Sequence, residues 1–237
     1  MEIKYNAVIL NKKDIGEVDR LYVAYAMEAG KISVAGKGVR RQGAKLAGSL
    51  EPITLSEIFV AKSRGKGNIT GAIVTENFSH IKENYSLLQK VFYVFSAFDK
   101  LITQQEGDEK IFSMLLSYLK TMNGIGENDQ AAEVLNLGFL FKLLENLGYK
   151  LEVEKCVRCG KRLEKEQNYF SISLGGILCQ NCGSSERKKV KIEVETIKLI
   201  RLFLANRVEN IVKVKVSARE LGNARLILQE TLNWIAA

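Results

Sequence analysis

The four cysteines of this chain constrain its fold most, because all of them fall in one short stretch. They form two pairs, Cys156-Val-Arg-Cys159 and Cys179-Gln-Asn-Cys182, with nineteen residues between the pairs. A two-residue gap lets both thiolates of a tight turn face one ion, and two such turns complete a tetrahedron. A glycine follows each pair and leaves the backbone free to fold back toward the sulfurs. The spacing therefore predicts one zinc ion bound by all four thiolates.

Two other uses of the cysteines compete with zinc. Disulfides are rare in cytosolic chains, and the start MEIKYNAVIL lacks the basic and apolar regions of a signal peptide, so we expect a cytoplasmic protein. A redox dithiol would need a βαβ context, which the sequence around the pairs does not show. Four protein thiolates leave no coordination position for an activated water, so the zinc is expected to be structural.

The first eighty residues have the composition of short strands joined by glycine-bearing turns. Apolar and β-branched stretches begin at Val8, Leu21, Ile32, Ile53 and Ile69. Five strands in this length predict a small barrel, and the OB-fold is the commonest five-stranded one, although periodicity leaves an SH3-like barrel open. We therefore expect residues 1–79 to form a small five-stranded barrel of one of these two kinds.

From residue 80 onward the apolar residues recur at helical spacing. Such faces run through residues 87–98, 111–119, 134–147, 197–204 and 218–237. Apolar helix faces of this kind are typical of core packing rather than of a cofactor site. The sequence predicts an α+β, multidomain fold, with a helical domain over residues 80–237 that contains the four-cysteine segment.

Basic residues are concentrated in two parts of the chain, and the formal net charge of +8 favours a polyanion partner. Residues 31–66 contain eight basic and two acidic residues, and residues 156–237 contain fifteen and eight, whereas residues 81–155 are net acidic. In the barrel, the side chains expected to contact phosphates are Lys37, Arg40, Arg41, Lys45, Arg64 and Lys66.

Several other residues allow two interpretations. Tyr22 and Tyr25 fall on opposite faces of a regular strand, so at most one can stack on a base, and barrel core is the alternative for both. The run Arg187-Lys-Lys-Val-Lys191 suits either a solvated face or a DNA contact. Three basic residues near the cysteines either compensate the thiolate charge or contact nucleic acid: Arg158, Lys161 and Arg162.

The sequence provides no positive case for an enzyme or a membrane protein. Neither a P-loop nor a G-x-S-x-G nucleophile elbow is present, and His80 is the only histidine. No apolar run reaches the roughly 18 residues of a membrane span. We therefore expect no catalytic residues, no small-molecule substrate and no membrane partner.

In their order and spacing, several motifs resemble those of the RecO family of DNA repair proteins over essentially the whole chain. They are Gly16-Glu-Val-Asp-Arg20, Gly30-Lys-Ile32, Lys37-Gly-Val-Arg-Arg41, Leu46-Ala-Gly-Ser-Leu-Glu-Pro52, Leu143-Leu-Glu-Asn-Leu-Gly-Tyr149, Cys156-Val-Arg-Cys-Gly160 and Gly175-Gly-Ile-Leu-Cys179. The resemblance implies that residues 1–79 form an OB-fold that binds nucleic acid, and that a four-cysteine zinc ribbon at about residues 153–190 is inserted in the helical domain. It also implies binding of single- and double-stranded DNA, annealing of complementary strands, and action with RecR to load recombinase onto SSB-coated DNA.

The resemblance further suggests that SSB offers its acidic C-terminal tail, for which we expect a groove in the helical domain with a lysine or arginine at its rim. Two rival functions remain open at this point. A basic OB-fold with a zinc ribbon would also suit an RNA-binding or translation-associated protein, which would prefer RNA to DNA. A protein-interaction scaffold would keep its partners after loss of Arg40 and Arg41.

Overall fold

A computed structural model of the chain describes residues 2–44, 46–61, 67–103, 106–149, 151–164 and 167–236. The chain divides into two compact units, Met1–Gly126 and Glu127–Ala237. Within the described residues, the first unit contains five strands, three α-helices and a short 3-10 helix at Gly48–Leu50, and the second contains three strands, the remaining helices and all four cysteines. The domain boundary expected after residue 79 stays a prediction. Within the described ranges, no helix combines the length and the apolar character needed to cross a membrane.

Five strands of the first unit close into a barrel. They are β1 (Glu2–Ile15), β2 (Asp19–Ala26), β3 (Gly30–Gly36), β4 (Thr54–Ala61) and β5 (Asn68–Glu76). Strands β1 to β3 form an antiparallel meander, and β4 returns to pair with β1, which is the order of a Greek key. Strand β5 pairs with β4 and, in parallel, with β3, which closes the sheet. The predicted five-stranded OB-like barrel is confirmed, and its strand order is what periodicity could not supply.

Alternate residues of the strands fill the barrel interior. Tyr22, Ala24 and Ala26 of β2 point inward and are fully buried. A Cβ at position 36 would come within 2.7 Å of the Tyr22 ring, so β3 passes this ring only because Gly36 has no side chain. Burying a large apolar side chain stabilises a fold by about 1.5–3 kcal/mol, so this interior accounts for much of the stability of the barrel.

Three helices follow the barrel: α1 (Ser79–Glu83), α2 (Tyr85–Leu101) and α3 (Glu109–Asn123). The side chains of Asn84 and Asp108 accept backbone hydrogen bonds in the first turns of α2 and α3, which satisfies amides that otherwise lack a partner. Tyr25, on the outside of the barrel, packs edge-on against Phe98 of α2 with ring centroids 5.1 Å apart. The helices therefore cover one end of the outer face of the meander.

The second unit combines helices with a small sheet. The helices are α4 (Asp129–Asn146), α5 (Gln180–Ser184), α6 (Val194–Ala205), α7 (Val208–Ile211) and α8 (Ala218–Ile235), and the strands are β6 (Asn168–Ser171), β7 (Gly176–Leu178) and β8 (Lys189–Ile192). The strands form an antiparallel sheet in the order β7-β6-β8. We call residues 151–192, which include this sheet, α5 and the cysteines, the cysteine ribbon. Its insertion between α4 and α6 confirms the predicted arrangement.

Helix α4 is more buried than its sequence pattern predicted. We expected one apolar face along residues 134–147, but every residue from 134 to 141 is buried. The reason is that α6, α7 and α8 all pack on this helix. A Cβ at Gly138 would lie 2.7 Å from the side chain of Ile211, so the glycine permits the close approach of α7.

Candidate metal centre and nucleic-acid interface

The four cysteines lie in two turns of the same local build. The Gly160 amide donates a hydrogen bond to the Cys156 carbonyl, and the Gly183 amide donates to the Cys179 carbonyl, both at 2.8 Å. The two glycines are needed for different reasons. Gly160 has a φ of +74°, which few other residues adopt, whereas a Cβ at Gly183 would overlap the ring of Tyr169.

The four sulfurs are close enough to share one ion. Their Sγ atoms all lie within 4.8 Å of one another, and those of Cys159 and Cys179 are 3.9 Å apart. A tetrahedron with Zn–S bonds of about 2.3 Å has S–S edges of about 3.8 Å. The four cysteines could therefore hold a metal ion, and the distance between Cys159 and Cys179 is close to this edge.

The thiols of the cluster differ in pKa. Burial raises the pKa of Cys156, but the backbone amides of Cys159, Cys179 and Arg158 outweigh it and lower this pKa to about 6. Burial and the three neighbouring thiols raise the pKa of Cys182 to about 12. Because the thiolates repel one another, all four protons leave at neutral pH only if a cation compensates the charge.

Arg158 connects the two cysteine turns. Its Nη1 donates to the Cys182 carbonyl at 2.8 Å and to the Ser185 hydroxyl at 3.1 Å. Its Nη2 forms an ion pair at 2.5 Å with Glu186, whose side chain is only 13% exposed. Arg158 therefore holds the second turn against the first, whereas Lys161 and Arg162 are exposed.

Three of the predicted phosphate contacts lie together in the turn that follows β3. We call these three residues the basic turn: Lys37, Arg40 and Arg41. The Gly38 amide donates to Asp19 Oδ1 at 2.7 Å, and the Arg40 amide donates to the Val18 carbonyl at 3.0 Å. These bonds join the basic turn to the turn between β1 and β2, at one end of the barrel.

The three cations of the basic turn differ in how free they are to bind an external anion. Arg40 lies 3.5 Å from Asp14 and donates to the Gly16 carbonyl at 3.1 Å, so its charge is partly compensated. A hydrogen bond from Arg20, together with the nearby charge of Arg40, holds the pKa of Asp14 below its usual value. Lys37 and Arg41 are exposed and have no acidic partner within the described part of the chain.

Comparison with protein families assigns both parts of the chain. Residues 1–78 match the model described as "Recombination protein O N terminal", and residues 87–235 match "Recombination protein O C terminal". The chain belongs to the RecO family. This membership confirms the resemblance seen in the motifs and gives the protein a role in DNA repair and recombination.

Curated relatives agree with this assignment. A DNA repair protein RecO of Dehalococcoides mccartyi is 29% identical over 234 residues, which cover 99% of this chain and 90% of the relative. One of Desulforamulus reducens is 25% identical, with 90% and 82% coverage, and one of Bacillus pumilus is 27% identical, with 86% and 77% coverage. The similarity thus extends over both parts of this RecO-family chain.

Of the other candidate residues of this RecO-family chain, three basic ones lie outside the described residues and the two tyrosines are buried. Lys45, Arg64 and Lys66 lie outside the described residues. Tyr22 is 0% exposed inside the barrel, and Tyr25 is 1% exposed beneath α2. The core alternative is therefore correct for Tyr22, and packing under the helices accounts for Tyr25, so neither side chain is available to stack on a base.

Lys13 is a further exposed cation of the first unit, which the sequence analysis did not single out. It is exposed on β1, and the strand register places it opposite Leu21, which in turn lies opposite Ala35. Directly paired residues share a face, and Lys37 follows Ala35 by two residues, so Lys13 lies on the side of the sheet that leads to the basic turn. The alternation of side chains along a strand would have indicated the face on which Lys13 lies. The sequence did not show that β1 extends as far as Ile15.

Proposed function

We propose that this RecO-family protein is a recombination mediator that binds single- and double-stranded DNA and anneals complementary strands. With RecR, it would help to load recombinase onto single strands coated by SSB, whose acidic C-terminal tail it would bind. The observation that carries this proposal is the basic turn at one end of an OB-like barrel, in a chain that matches RecO in both parts. We expect the protein to act in the cytoplasm, at the nucleoid.

Annealing requires no bond chemistry, which is why we propose no catalytic residue. It requires cations that screen the repulsion between two phosphate backbones while the base edges stay free to pair. Lys37 and Arg41 supply exposed cations of this kind, and Lys13 adds a third on the adjoining strand face. Contacts from Arg40, Lys45, Arg64 and Lys66 remain part of the proposal.

We further infer that the four cysteines hold one structural Zn²⁺. The S–S spacing close to a tetrahedral edge and the all-thiolate donor set support this ion over harder cations such as Mg²⁺. Four protein ligands complete the coordination shell, so the ion would organise the cysteine ribbon rather than take part in a reaction.

The test is a strand-annealing assay with bare and SSB-coated complementary oligonucleotides. We expect acceleration on both substrates and loss of the effect at high salt. The binding constant K for a single strand, measured separately, should also depend on salt. If about five phosphates are neutralised, log K should fall with log salt at a slope of about −3.5, and Lys37→Ala with Arg41→Ala should make that slope shallower by about 1.4. Lys100→Ala with Lys110→Ala is the matched control, because it removes two exposed lysines from α2 and α3.

Other results would contradict the proposal in recognisable ways. A tighter complex with RNA than with DNA of equal length would favour an RNA-binding function. Partner binding that survives loss of Arg40 and Arg41, without annealing, would favour a scaffold. A slope near zero would refute the electrostatic account even if annealing occurred.

A further inference from the structure

A groove in the second unit lies between strand β8 of the cysteine ribbon and helix α8, and its volume is about 530 Å³. Its two walls differ in chemistry. The ribbon contributes three cations, and one face of α8 contributes apolar and polar side chains: Arg187, Lys188 and Lys189 on one wall, and Leu226, Glu230 and Trp234 on the other. The groove therefore has a cationic side and an aromatic side.

Two of the three cations on the ribbon wall are free to bind an external anion. Lys189 is held in place, because its Nζ donates to the carbonyls of Gly183 at 2.5 Å and Ser184 at 3.2 Å. Arg187 and Lys188 are exposed, and the described part of the chain offers them no carboxylate partner.

The helix wall exposes apolar surface that a helix would normally bury. Trp234 and Leu226, two turns apart on α8, are each 46% exposed. Trp234 is the only tryptophan of the chain. Proteins that bind single-stranded nucleic acids combine exposed aromatic rings with nearby cations, because every base has a face that can stack on a ring and every phosphate is an anion.

We propose that this groove binds a single strand of nucleic acid, with phosphates against Arg187 and Lys188 and a base against Trp234. An acidic peptide would match the cations too, but Glu230 argues against it, because its carboxylate would repel those of the peptide. On the base side of a strand, Glu230 and Asn233 can instead accept hydrogen bonds from the amino groups of bases.

This inference rests on the proposed DNA-binding function and adds a second contact surface to it. The groove is lined by residues of the second unit, between positions 172 and 234, so it shares no residue with the basic turn, which belongs to the first unit. A protein with two such surfaces can hold two strands at once. Annealing of complementary strands needs that capacity.

The test uses the full chain with zinc and an oligodeoxycytidine of about 16 nucleotides, a length within the range of single-strand binding sites. Anisotropy of a labelled oligonucleotide reports all binding, whereas the fluorescence of Trp234 reports the groove alone. We expect saturable quenching of Trp234. Arg187→Ala with Lys188→Ala should weaken it and reduce its salt slope by about 1.4, since two phosphate contacts are lost.

Two control variants make this test specific. Lys213→Ala with Lys215→Ala removes two exposed lysines that do not line the groove, and it should leave the quenching curve unchanged. In a chain that also carries Lys37→Ala and Arg41→Ala, so that the basic turn does not dominate, Trp234→Ala should lower the affinity measured by anisotropy at least about fivefold through loss of stacking. Leu202→Ala, which truncates a side chain of similar exposure on α6, should not.

The outcomes separate this inference from the proposed function. If the oligonucleotide binds by anisotropy but does not quench Trp234, the groove is not a binding site and the DNA-binding proposal stands. The same conclusion holds if Arg187→Ala with Lys188→Ala leaves the quenching unchanged. No anisotropy change with any DNA would remove both. Stronger quenching by polyglutamate than by the oligonucleotide would identify a site for acidic peptides and overturn the inference.

Discussion

Removing the ion that we assign to the four cysteines should destabilise the second unit by several kcal/mol. The cysteine ribbon has only short strands of three or four residues and cannot compensate with a large core of its own. A ligand that binds only the folded state at a free concentration about 1,000 times its Kd stabilises that state by about 4.1 kcal/mol. For a unit of this size, with an unfolding entropy of about 2.1 cal/mol/K per residue, the midpoint should fall by about 15–20 °C.

The assay is thermal unfolding followed by circular dichroism at neutral pH, with the thiols kept reduced, in a zinc buffer and in excess chelator. A metal-sensitive dye should report one zinc released per chain. Cys182→Ser should lower the midpoint in the zinc buffer, whereas Gln180→Ala, an exposed position in the same turn, should not. The affinity for zinc should fall as the pH falls, because protons compete for the thiolates.

Two results would refute this reasoning. If one zinc ion per chain is released and the midpoint does not move, the ion binds without organising the ribbon. If no zinc copurifies and zinc salts do not raise the midpoint of the reduced protein, the cysteines have another role, and the closeness of their sulfurs does not reflect metal binding.

Three further predictions follow from individual side chains. Asp14→Asn should free Arg40 and make the salt slope of single-strand binding steeper by up to about 0.7, as measured by anisotropy; weaker binding would contradict this. Tyr25→Ala should lower the free energy of unfolding in urea by about 3–5 kcal/mol without changing the DNA affinity of the folded protein, and an affinity loss at constant stability would return Tyr25 to the binding face. Ser217→Ala should cost about 1 kcal/mol through loss of the capping box of α8. The backbone amide and side chain of Ser217 lower the pKa of Glu220, so this stabilisation is present above the ordinary pKa of a glutamate, 4.5, and is lost as the pH falls through the lowered pKa. A destabilisation by Ser217→Ala that is the same at acidic and neutral pH would show that Glu220 does not contribute.

The features that the sequence predicted well are those formed by residues close together in the chain. The cysteine turns close through hydrogen bonds between residues four apart, so their spacing alone identified a candidate metal site. The helices α2 and α3 begin beside the cap residues Asn84 and Asp108, and their apolar periodicity placed them correctly. The five strands were likewise visible in their composition, although β1 is much longer than its apolar stretch.

What the tertiary structure decided depends on residues far apart in the chain. The parallel pairing of β3 with β5 sets the barrel order, and no local pattern encodes it. Tyr22 and Tyr25 look alike in the sequence, but one faces the barrel interior and the other meets α2, far downstream in the chain. The pairing of Arg40 with Asp14 and the groove between β8 and α8 arise in the same way. Such contacts form only when the whole chain packs, because burial and charge depend on which distant segments meet.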